Sequence, residues 1–317
     1  MRAQNSATAP RTITVGTPAG SAAGSATASA ASPDAQGTLL ALLGVVAFSL
    51  TFPSTVWGLE SFGPWSLVAV RSTLAALIAG AFLLGGRVPL PERRHLAGLA
   101  VVAGGVVIGF PLLTTLALQT STTSHAAVVV GLLPLTTAAF AAVRTGRRPS
   151  RTFWVAALAG AGVVIAFTVQ QSGGTLSTGD LYLFGALLVC AAGYTEGGRL
   201  ARLMPGWQVI GWALVFCLPL MVPASVVALA LEPVHLTAHG VIGLAWVAAG
   251  STFFGLYVWY RGMASIGIPR ASQLQLAQPL LTLVWSVLLL GESLPPAAPL
   301  AAVGVLVCIA VTQRAKS

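Results

Sequence analysis

The chain has 317 residues, of which 56% are hydrophobic and only 7% are charged, and its formal net charge is +9. A soluble domain carries about 25% charged residues, so this composition excludes an ordinary water-soluble fold and predicts an all-α membrane protein. The basic residues lie between apolar segments, which indicates membrane topology and argues against a nucleic-acid partner. The three cysteines lie within apolar segments and form no disulfide or metal motif. We therefore expect no metal site and no cofactor.

The N-terminal segment differs from the rest of the chain. Residues 1–36 are rich in Ala, Ser, Thr and Gly and lack the apolar core of a signal peptide, so we predict a disordered cytoplasmic tail. Ten apolar spans follow, and the connections between them are too short for a soluble domain. We place spans 1 to 10 near residues 37–58, 64–85, 95–117, 121–143, 152–170, 181–201, 207–231, 238–260, 267–290 and 296–313.

The charges of the connecting loops alternate along the chain. The loops after spans 1, 3, 5, 7 and 9 contain no Lys or Arg, and their acidic residues are Glu60, Asp180, Glu232 and Glu292. The other loops and the C-terminus hold Arg87, Arg93, Arg94, Arg144, Arg147, Arg148, Arg151, Arg199, Arg202, Arg261, Arg270, Arg314 and Lys316. Because Arg-rich and Lys-rich loops stay in the cytoplasm, this pattern predicts a multi-pass inner-membrane (plasma-membrane) protein with both termini cytoplasmic.

The second half of the chain repeats a pattern of the first half. When spans 4 and 9 are aligned, the matched pairs are Pro134 with Pro279, Thr137 with Thr282 and Gly146 with Gly291. The spans that follow also match, as GAGVVIA and GVLVCIA. We therefore predict two duplicated units, residues 37–170 and 178–313. Since five spans is an odd number, the predicted fold is ten transmembrane helices arranged as two inverted five-helix repeats.

Several of these features resemble one known family. They are Pro64 and Arg71 in span 2, the prolines of spans 4 and 9, Leu290 to Glu292 (LGE), and Gly179-Asp180 at the start of the second unit. Over residues 37–313 the chain resembles the EamA-type drug/metabolite transporters. The resemblance implies a substrate held between spans 1–4 and 6–9, with spans 5 and 10 at the periphery, and export of small metabolites such as amino acids, or of drugs. The chain departs from the family at Gly146-Arg147, where the first unit lacks the Gly-Glu of the second.

Candidate substrate-binding residues begin in spans 1 and 2. Phe48, Thr51 and Phe52 share one helix face, where rings and hydroxyls together suit a cavity for a small amphipathic solute. The alternative is ordinary packing, with threonine hydroxyls bonded to their own backbone. Arg71 is the only basic residue within a span, and its guanidinium can bind a carboxylate or a phosphate. Its alternative is a structural role, in which the side chain extends outward and pairs with Glu60.

Further candidates lie in spans 3, 4 and 6. Glu196 is the only acidic residue within an apolar span and lies close to Tyr194, a second candidate. A carboxylate there can bind a cation or carry a proton, and the alternative is an interfacial ion pair with Arg199. Thr114, at about mid-depth in span 3, and Thr137, in the proline-containing span 4, complete this group.

Spans 8 and 9 supply the remaining candidates. Gln275, Gln278 and Thr282 follow at steps of three and four and therefore share one face of a helix. Amides can bind zwitterions without a charge penalty, and the alternative is hydrogen bonding between helices. Tyr257 lies deeper in span 8 than the residues of an interfacial aromatic belt, which favours a place in the cavity.

These features together predict a secondary transporter that exports amino-acid-like or amphipathic metabolites by alternating access. Broad multidrug efflux is the alternative. The sequence contains no GxxxxGK[ST] loop, so we expect an ion or solute gradient to supply the energy. An intramembrane enzyme is disfavoured because HExxH and GxSxG motifs are absent, and the repeat argues against a channel. The expected partners are a small-molecule solute and the lipid bilayer, and a homodimer is an open alternative.

Overall fold

The computed structural model describes residues 33–146, 150–266 and 274–314. Most of the predicted tail, together with Arg147, Arg148, Arg270 and Lys316, lies outside these residues. The described chain contains helices and no strand. We number the helices of the first half α1 (Pro33–Ser49 and Thr51–Leu59), α2 (Pro64–Gly85), α3 (Arg93–Val102, Ala103–Gly109 and Phe110–Ala117), α4 (Thr123–Val130 and Leu133–Thr145) and α5 (Arg151–Gln171). Those of the second half are α6 (Thr178–Leu200), α7 (Gly206–Leu231), α8 (Ala238–Ala245, Trp246–Gly255 and Leu256–Ile266), α9 (Ala277–Leu290) and α10 (Ala297–Arg314).

Eight of these helices, α1 to α8, are long and apolar enough to cross a membrane. The prediction of an all-helical membrane protein is thereby confirmed for the described residues. Helices α9 and α10 are shorter apolar helices at the positions of predicted spans 9 and 10. Helix α9 begins at Ala277, ten residues after the predicted start of span 9, and residues 267–273 lie outside the described part of the chain.

Side-chain caps and glycines set the ends of several helices. The hydroxyls of Thr122, Ser150 and Thr237 accept a hydrogen bond from the backbone N–H three residues later, which satisfies a donor that the first helical turn leaves free. Helices α4 and α9 both end at a glycine, Gly146 and Gly291, with φ of 65° in each. Glycine adopts this left-handed conformation without the steric cost that a side chain would bring.

Equivalent helices of the two halves make equivalent packing contacts. Helix α2 packs along α7, α5 along α10, and α4 against α9. Helix α1 packs against α8, and α6 packs in the same manner against α3, so the first helix of each half contacts the third helix of the other. The two halves therefore interlock, and the space between them is bounded by helices from both.

Two of these crossings bring backbones into close contact through glycine. A Cβ on Gly105 of α3 would lie 2.3 Å from the Val189 carbonyl oxygen of α6. At the α1–α8 crossing, a Cβ on Gly44 would lie 2.9 Å from Cβ of Trp259. Small residues at helix crossings of membrane proteins allow this approach. In both crossings the third helix contains a π-helical segment, Ala103–Gly109 in α3 and Trp246–Gly255 in α8.

Candidate functional site

The space between the two halves contains two neighbouring cavities. The larger cavity has a volume of about 390 Å³ and is bounded by α1, α4, α5, α6, α9 and α10 together with the residues just before α9. The smaller one, of about 100 Å³, is bounded by α1 to α4 and α6 to α9. Both cavities are lined by Phe52, Val130, Leu133, Tyr194, Gln275, Gln278 and Thr282. The larger volume alone is in the range of small-molecule sites, about 300–1,000 Å³.

Helices with local interruptions contribute to the walls of both cavities. The α-helix of α4 is interrupted at Gly131 and Leu132, shortly before Pro134, and the helix of span 9 is interrupted at Leu276, shortly before Pro279. Proline lacks an N–H and its ring crowds the preceding turn, which accounts for a break at each position. Gly131, Leu132 and Leu276 keep right-handed helical φ and ψ, so each interruption is a local distortion, which is tolerated at membrane depth where it lines a cavity or is buried in protein.

The break in α1 is fixed by side chains from the second half. Helix α1 is interrupted at Leu50, next to Ser49, whose carbonyl oxygen accepts a hydrogen bond from Thr282 Oγ1 at 3.0 Å. Trp285 Nε1 donates to Ser49 Oγ at 2.9 Å, and the hydroxyls of Thr51 and Ser251 share a 2.6 Å hydrogen bond. Helices α8 and α9 thus hold α1 in the conformation that presents Phe48 and Phe52 to the smaller cavity.

Arg71 lies in the wall of the smaller cavity with only 5% of its surface exposed. Its Nη2 donates to Thr252 Oγ1 at 2.9 Å, and no carboxylate among the described residues lies within ion-pair distance of its guanidinium. The proposed pairing with Glu60 is wrong, because Glu60 Oε2 lies 3.6 Å from His239 Nδ1 instead. Arg71 faces the π-helical segment of α8, whereas Glu60 lies at the end of α1.

Glu196 is as buried as Arg71 but is fully paired. Its Oε1 accepts a 2.8 Å hydrogen bond from Arg199 Nε, and its Oε2 lies 3.3 Å from Arg144 Nη2. The pair with Arg199 is the interfacial ion pair that the i, i+3 spacing predicts. Glu196 lines neither cavity.

The structure brings nine of the twelve predicted site residues to the two cavities. They are Phe48, Thr51, Phe52, Arg71, Thr137, Tyr194, Gln275, Gln278 and Thr282. The three that line neither cavity are Thr114, Glu196 and Tyr257. The hydroxyl of Thr114 donates to the carbonyl of Phe110 within α3. Tyr257 packs against Phe253 and Trp207 instead.

Sequence reasoning missed the part of the site that α8 contributes. Ser251 and Thr252 both line the smaller cavity, and they contact Thr51 and Arg71 respectively. The available signal was a Ser-Thr pair inside an apolar run, VAAGSTFFG. The Thr252 hydroxyl also donates to the carbonyl of Val247, five residues earlier, inside the π-helical segment.

Carboxylates from the second half cap helices of the first half at one end of the molecule. We call this the acidic end and define it by Glu60, Asp180, Glu232 and Glu292. Glu232 accepts from Ser66 N at 2.7 Å at the start of α2, and Glu292 accepts from Thr123 N at 2.7 Å at the start of α4. Asp180 Oδ1 lies 2.6 Å from Nε2 of the buried His125. Negative charge at a helix N-terminus is favourable, so these bonds hold the two halves together here.

The opposite end, which we call the basic end, is defined by Arg144, Arg151, Arg199 and Arg261. The larger cavity extends towards it, because Ala141 and Phe153 are among its lining residues. Arg144 and Arg199 meet at Glu196 between α4 and α6.

Comparison with known proteins shows which family and which fold this chain is similar to. The model of the EamA-like transporter family matches residues 35–168 and again residues 177–313. The "Uncharacterized transporter YdeK" of Bacillus subtilis (strain 168) is 42% identical over 282 residues, which cover 88% of this chain and 97% of YdeK. A solved structure described as "Crystal structure of protein" has a TM-score of 0.61 at 20% identity and covers 88% of this chain and 98% of its own. That likeness concerns the fold alone. The chain therefore belongs to the EamA-like transporter family and is a multi-pass membrane transporter.

Proposed function

We propose that the protein exports small metabolites from the cytoplasm by alternating access of two inverted five-helix repeats. In this proposal α9 and α10 are the ninth and tenth membrane spans, and the two units are residues 37–170 and 178–313. The observation that carries the proposal is the cavity between the halves, which is lined by locally interrupted helices from both of them. Sites at a repeat interface, formed by discontinuous helices, are typical of secondary transporters.

The closed acidic end supports an inward-facing state. The positive-inside rule places the basic end in the cytoplasm and the acidic end outside. Glu232, Glu292 and Asp180 link the two halves at the acidic end. At the basic end the partly exposed Arg144 also reaches Glu196 across the halves, but the larger cavity extends towards that end. A solute would therefore enter from the cytoplasm, and its release would require the bonds of the acidic end to break.

The lining of the larger cavity suits an amphipathic solute. Most of its walls are apolar, and Gln275 and Gln278 place two uncharged amides among them. Amides can donate and accept hydrogen bonds and so can bind either end of a zwitterion. Broad multidrug efflux is a second candidate, which these apolar walls also favour.

Flux measurements in liposomes would test the transport proposal. We expect purified protein to move at least one amino acid or amphipathic metabolite across the bilayer when a proton, sodium or solute gradient is imposed to drive transport. The Gln278→Ala variant should reduce this flux about tenfold, because it removes about one uncharged hydrogen bond between the protein and the solute. Gln119→Ala is the matched control, because Gln119 is exposed at the end of α3 and outside both cavities. Absence of flux under every gradient would overturn the proposal.

A thermal-shift screen would separate the metabolite proposal from multidrug efflux. A ligand at about a hundred times its dissociation constant should stabilise the protein by about 2.7 kcal/mol through mass action. Stabilisation by one class of metabolites would support the proposal. Comparable stabilisation by many unrelated drugs, with none by metabolites, would favour multidrug efflux instead.

A further inference from the structure

We propose that Arg71 is an anion-binding residue and that the transported solute carries a carboxylate. This inference rests on the proposed function, because it names the substrate class of the same cavity. The cavity walls carry a charge imbalance that the transport proposal does not explain. Among the arginines whose side chains the structure describes, only Arg71 is buried.

The burial of Arg71 is not offset by the protein around it. A buried charge is unfavourable unless it is paired and hydrogen-bonded. A guanidinium has five N–H donors, and within the described chain one of them is used, in the bond to Thr252. No acidic residue is among those that line either cavity. The remaining donors therefore have no protein acceptor in the described residues, and an anion in the cavity would supply one.

The surroundings of Arg71 limit what that anion can be. The adjoining space has a volume of about 100 Å³, which is enough for a carboxylate but leaves the rest of a larger solute to enter the neighbouring cavity. The planar guanidinium matches a carboxylate with two parallel hydrogen bonds. Phe48, Phe52 and Phe110 form apolar walls beside it. A carboxylate on a compact apolar body fits this combination.

Polar side chains lie at the boundary between the smaller cavity, which contains Arg71, and the larger cavity. Gln275, Gln278 and Tyr194 line both cavities and so connect them. In an amino acid bound with its carboxylate at Arg71, the amine would meet amide oxygens and not a second charge. A polyamine or a purely cationic drug would face Arg71 without any carboxylate to bind it.

Two π-helical segments flank the proposed site. Val106 and Val107 of α3 and Ser251 and Thr252 of α8 all belong to such segments, and all line the smaller cavity. Single π-helical turns inside α-helices occur frequently at functional sites. Their presence on both sides of an unpaired cation is a second observation, independent of charge, that points to a ligand.

The test compares carboxylates with their neutral counterparts. The probes are the amino acids and their primary amides, together with simple hydroxy and keto acids, in a thermal-shift assay of detergent-purified protein. We expect one or more carboxylates to raise the melting temperature and the matching amides to have no effect. Stabilisation of equal size by acid and amide would overturn the proposal. So would stabilisation by chloride or inorganic phosphate with none by any carboxylate.

Two variants assign the effect to Arg71. Arg71→Met should abolish stabilisation by the carboxylate, and Arg71→Lys, which keeps the charge but not the fork, should weaken affinity about tenfold or more. Without ligand, Arg71→Met should melt at the same or a higher temperature, because it removes an unpaired buried charge. A purely structural arginine would give a lower melting temperature and unchanged ligand affinity. Arg202→Met is the matched control, because Arg202 is exposed outside both cavities.

The anion site and the transport proposal can fail separately. Flux in liposomes that is equal for acids and amides, and unchanged in Arg71→Met, would remove the anion site and leave the transporter. Carboxylate binding that depends on Arg71, with no flux under any gradient, would remove export by alternating access and leave the anion site.

Discussion

Among the described residues, Arg71 and Glu196 are the Arg and Glu side chains buried within the predicted spans, and their surroundings differ. Each is 5% exposed. Glu196 has two arginine partners, whereas Arg71 has one hydroxyl acceptor within the described chain. Burial alone therefore does not identify a functional charge. What distinguishes the two is whether the protein already supplies the opposite charge.

The difference follows from where each residue lies along its helix. Glu196 lies in the last turn of α6, where Arg144 and Arg199 keep 65% and 40% of their side-chain surface exposed while reaching the carboxylate. Long basic side chains can do this because their stems are apolar and their heads stay in water. Arg71 lies seven residues into α2, about 10 Å from its start at 1.5 Å per residue. At that depth no carboxylate of the described chain lies within ion-pair distance of the guanidinium.

The largest effect is expected when Arg71 is given a carboxylate partner within the protein, which would remove its difference from Glu196. In Thr252→Asp the carboxylate would replace the hydroxyl that lies 2.9 Å from Nη2 of Arg71. We expect carboxylate binding to fall by more than about thirtyfold, since losing one member of a buried charge pair costs about 2–5 kcal/mol. Titration of the melting temperature with ligand would measure the change.

Thr252→Asn is the control for this experiment, because it has the shape of Asp without the charge. It should retain most of the affinity. Equal loss in the Asp and Asn variants would mean that the shape of the residue, and not its charge, is what matters at position 252.

The reverse experiment makes Glu196 resemble Arg71. The double variant Arg144→Met, Arg199→Met leaves the buried carboxylate without its cations. We expect a loss of about 1–3 kcal/mol of stability, the cost of leaving a buried polar group unsatisfied, reduced because both arginines are partly exposed. Thermal unfolding would measure it, and adding Glu196→Gln should restore much of the loss. An unchanged melting temperature in the double variant would show that the ion pairs contribute nothing measurable.

Helix positions and membrane character could be predicted from the sequence, because apolar length and the alternation of loop charge depend on local composition. Much of the cavity lining could also be predicted. Gln275, Gln278 and Thr282 share a helix face by spacing alone, and the structure places that face at the cavities. Spacing does not show which residues of this face bond to another helix and which line the cavities. Thr282 bonds to Ser49 of α1, whereas the amides of Gln275 and Gln278 remain at the cavity walls.

Other parts of the site depend on contacts between distant segments. Thr252 is separated from Arg71 by 181 residues, and no local pattern indicates that α8 passes beside α2. The π-helical segment that presents Thr252 is also set by packing, since its residues read as an ordinary apolar helix. Depth within the span predicts a place in the cavity for Thr114 and Tyr257, but the Thr114 hydroxyl bonds to the backbone of its own helix and Tyr257 packs against Phe253. The spacing of residues predicts which of them share a helix face, but it does not predict which helix packs against that face.

A smaller effect is expected when only the charge of Glu196 is removed. Glu196→Gln keeps the size of the side chain and weakens its bonds to two partly exposed arginines, so we expect a loss of about 1 kcal/mol or less. Flux, and the dependence of flux on external pH, should match those of the wild type, because Glu196 lies outside both cavities. Loss of proton-driven flux in a well-folded Glu196→Gln protein would instead support the proton-carrying role.

A comparably small effect is expected when the orientation of Arg71 is disturbed. Thr252→Val removes the one hydroxyl in the described chain that accepts from the guanidinium while keeping the size of the side chain. We expect carboxylate affinity to fall about threefold to tenfold, the worth of a single hydrogen bond of about 0.5–1.5 kcal/mol. Thr73→Val is the control, because the Thr73 hydroxyl bonds to Ser225 on α7, outside both cavities. If both variants lower the melting temperature and neither changes affinity, Thr252 contributes only to packing. A loss of affinity confined to Thr252→Val would show that Thr252 positions the guanidinium for its ligand.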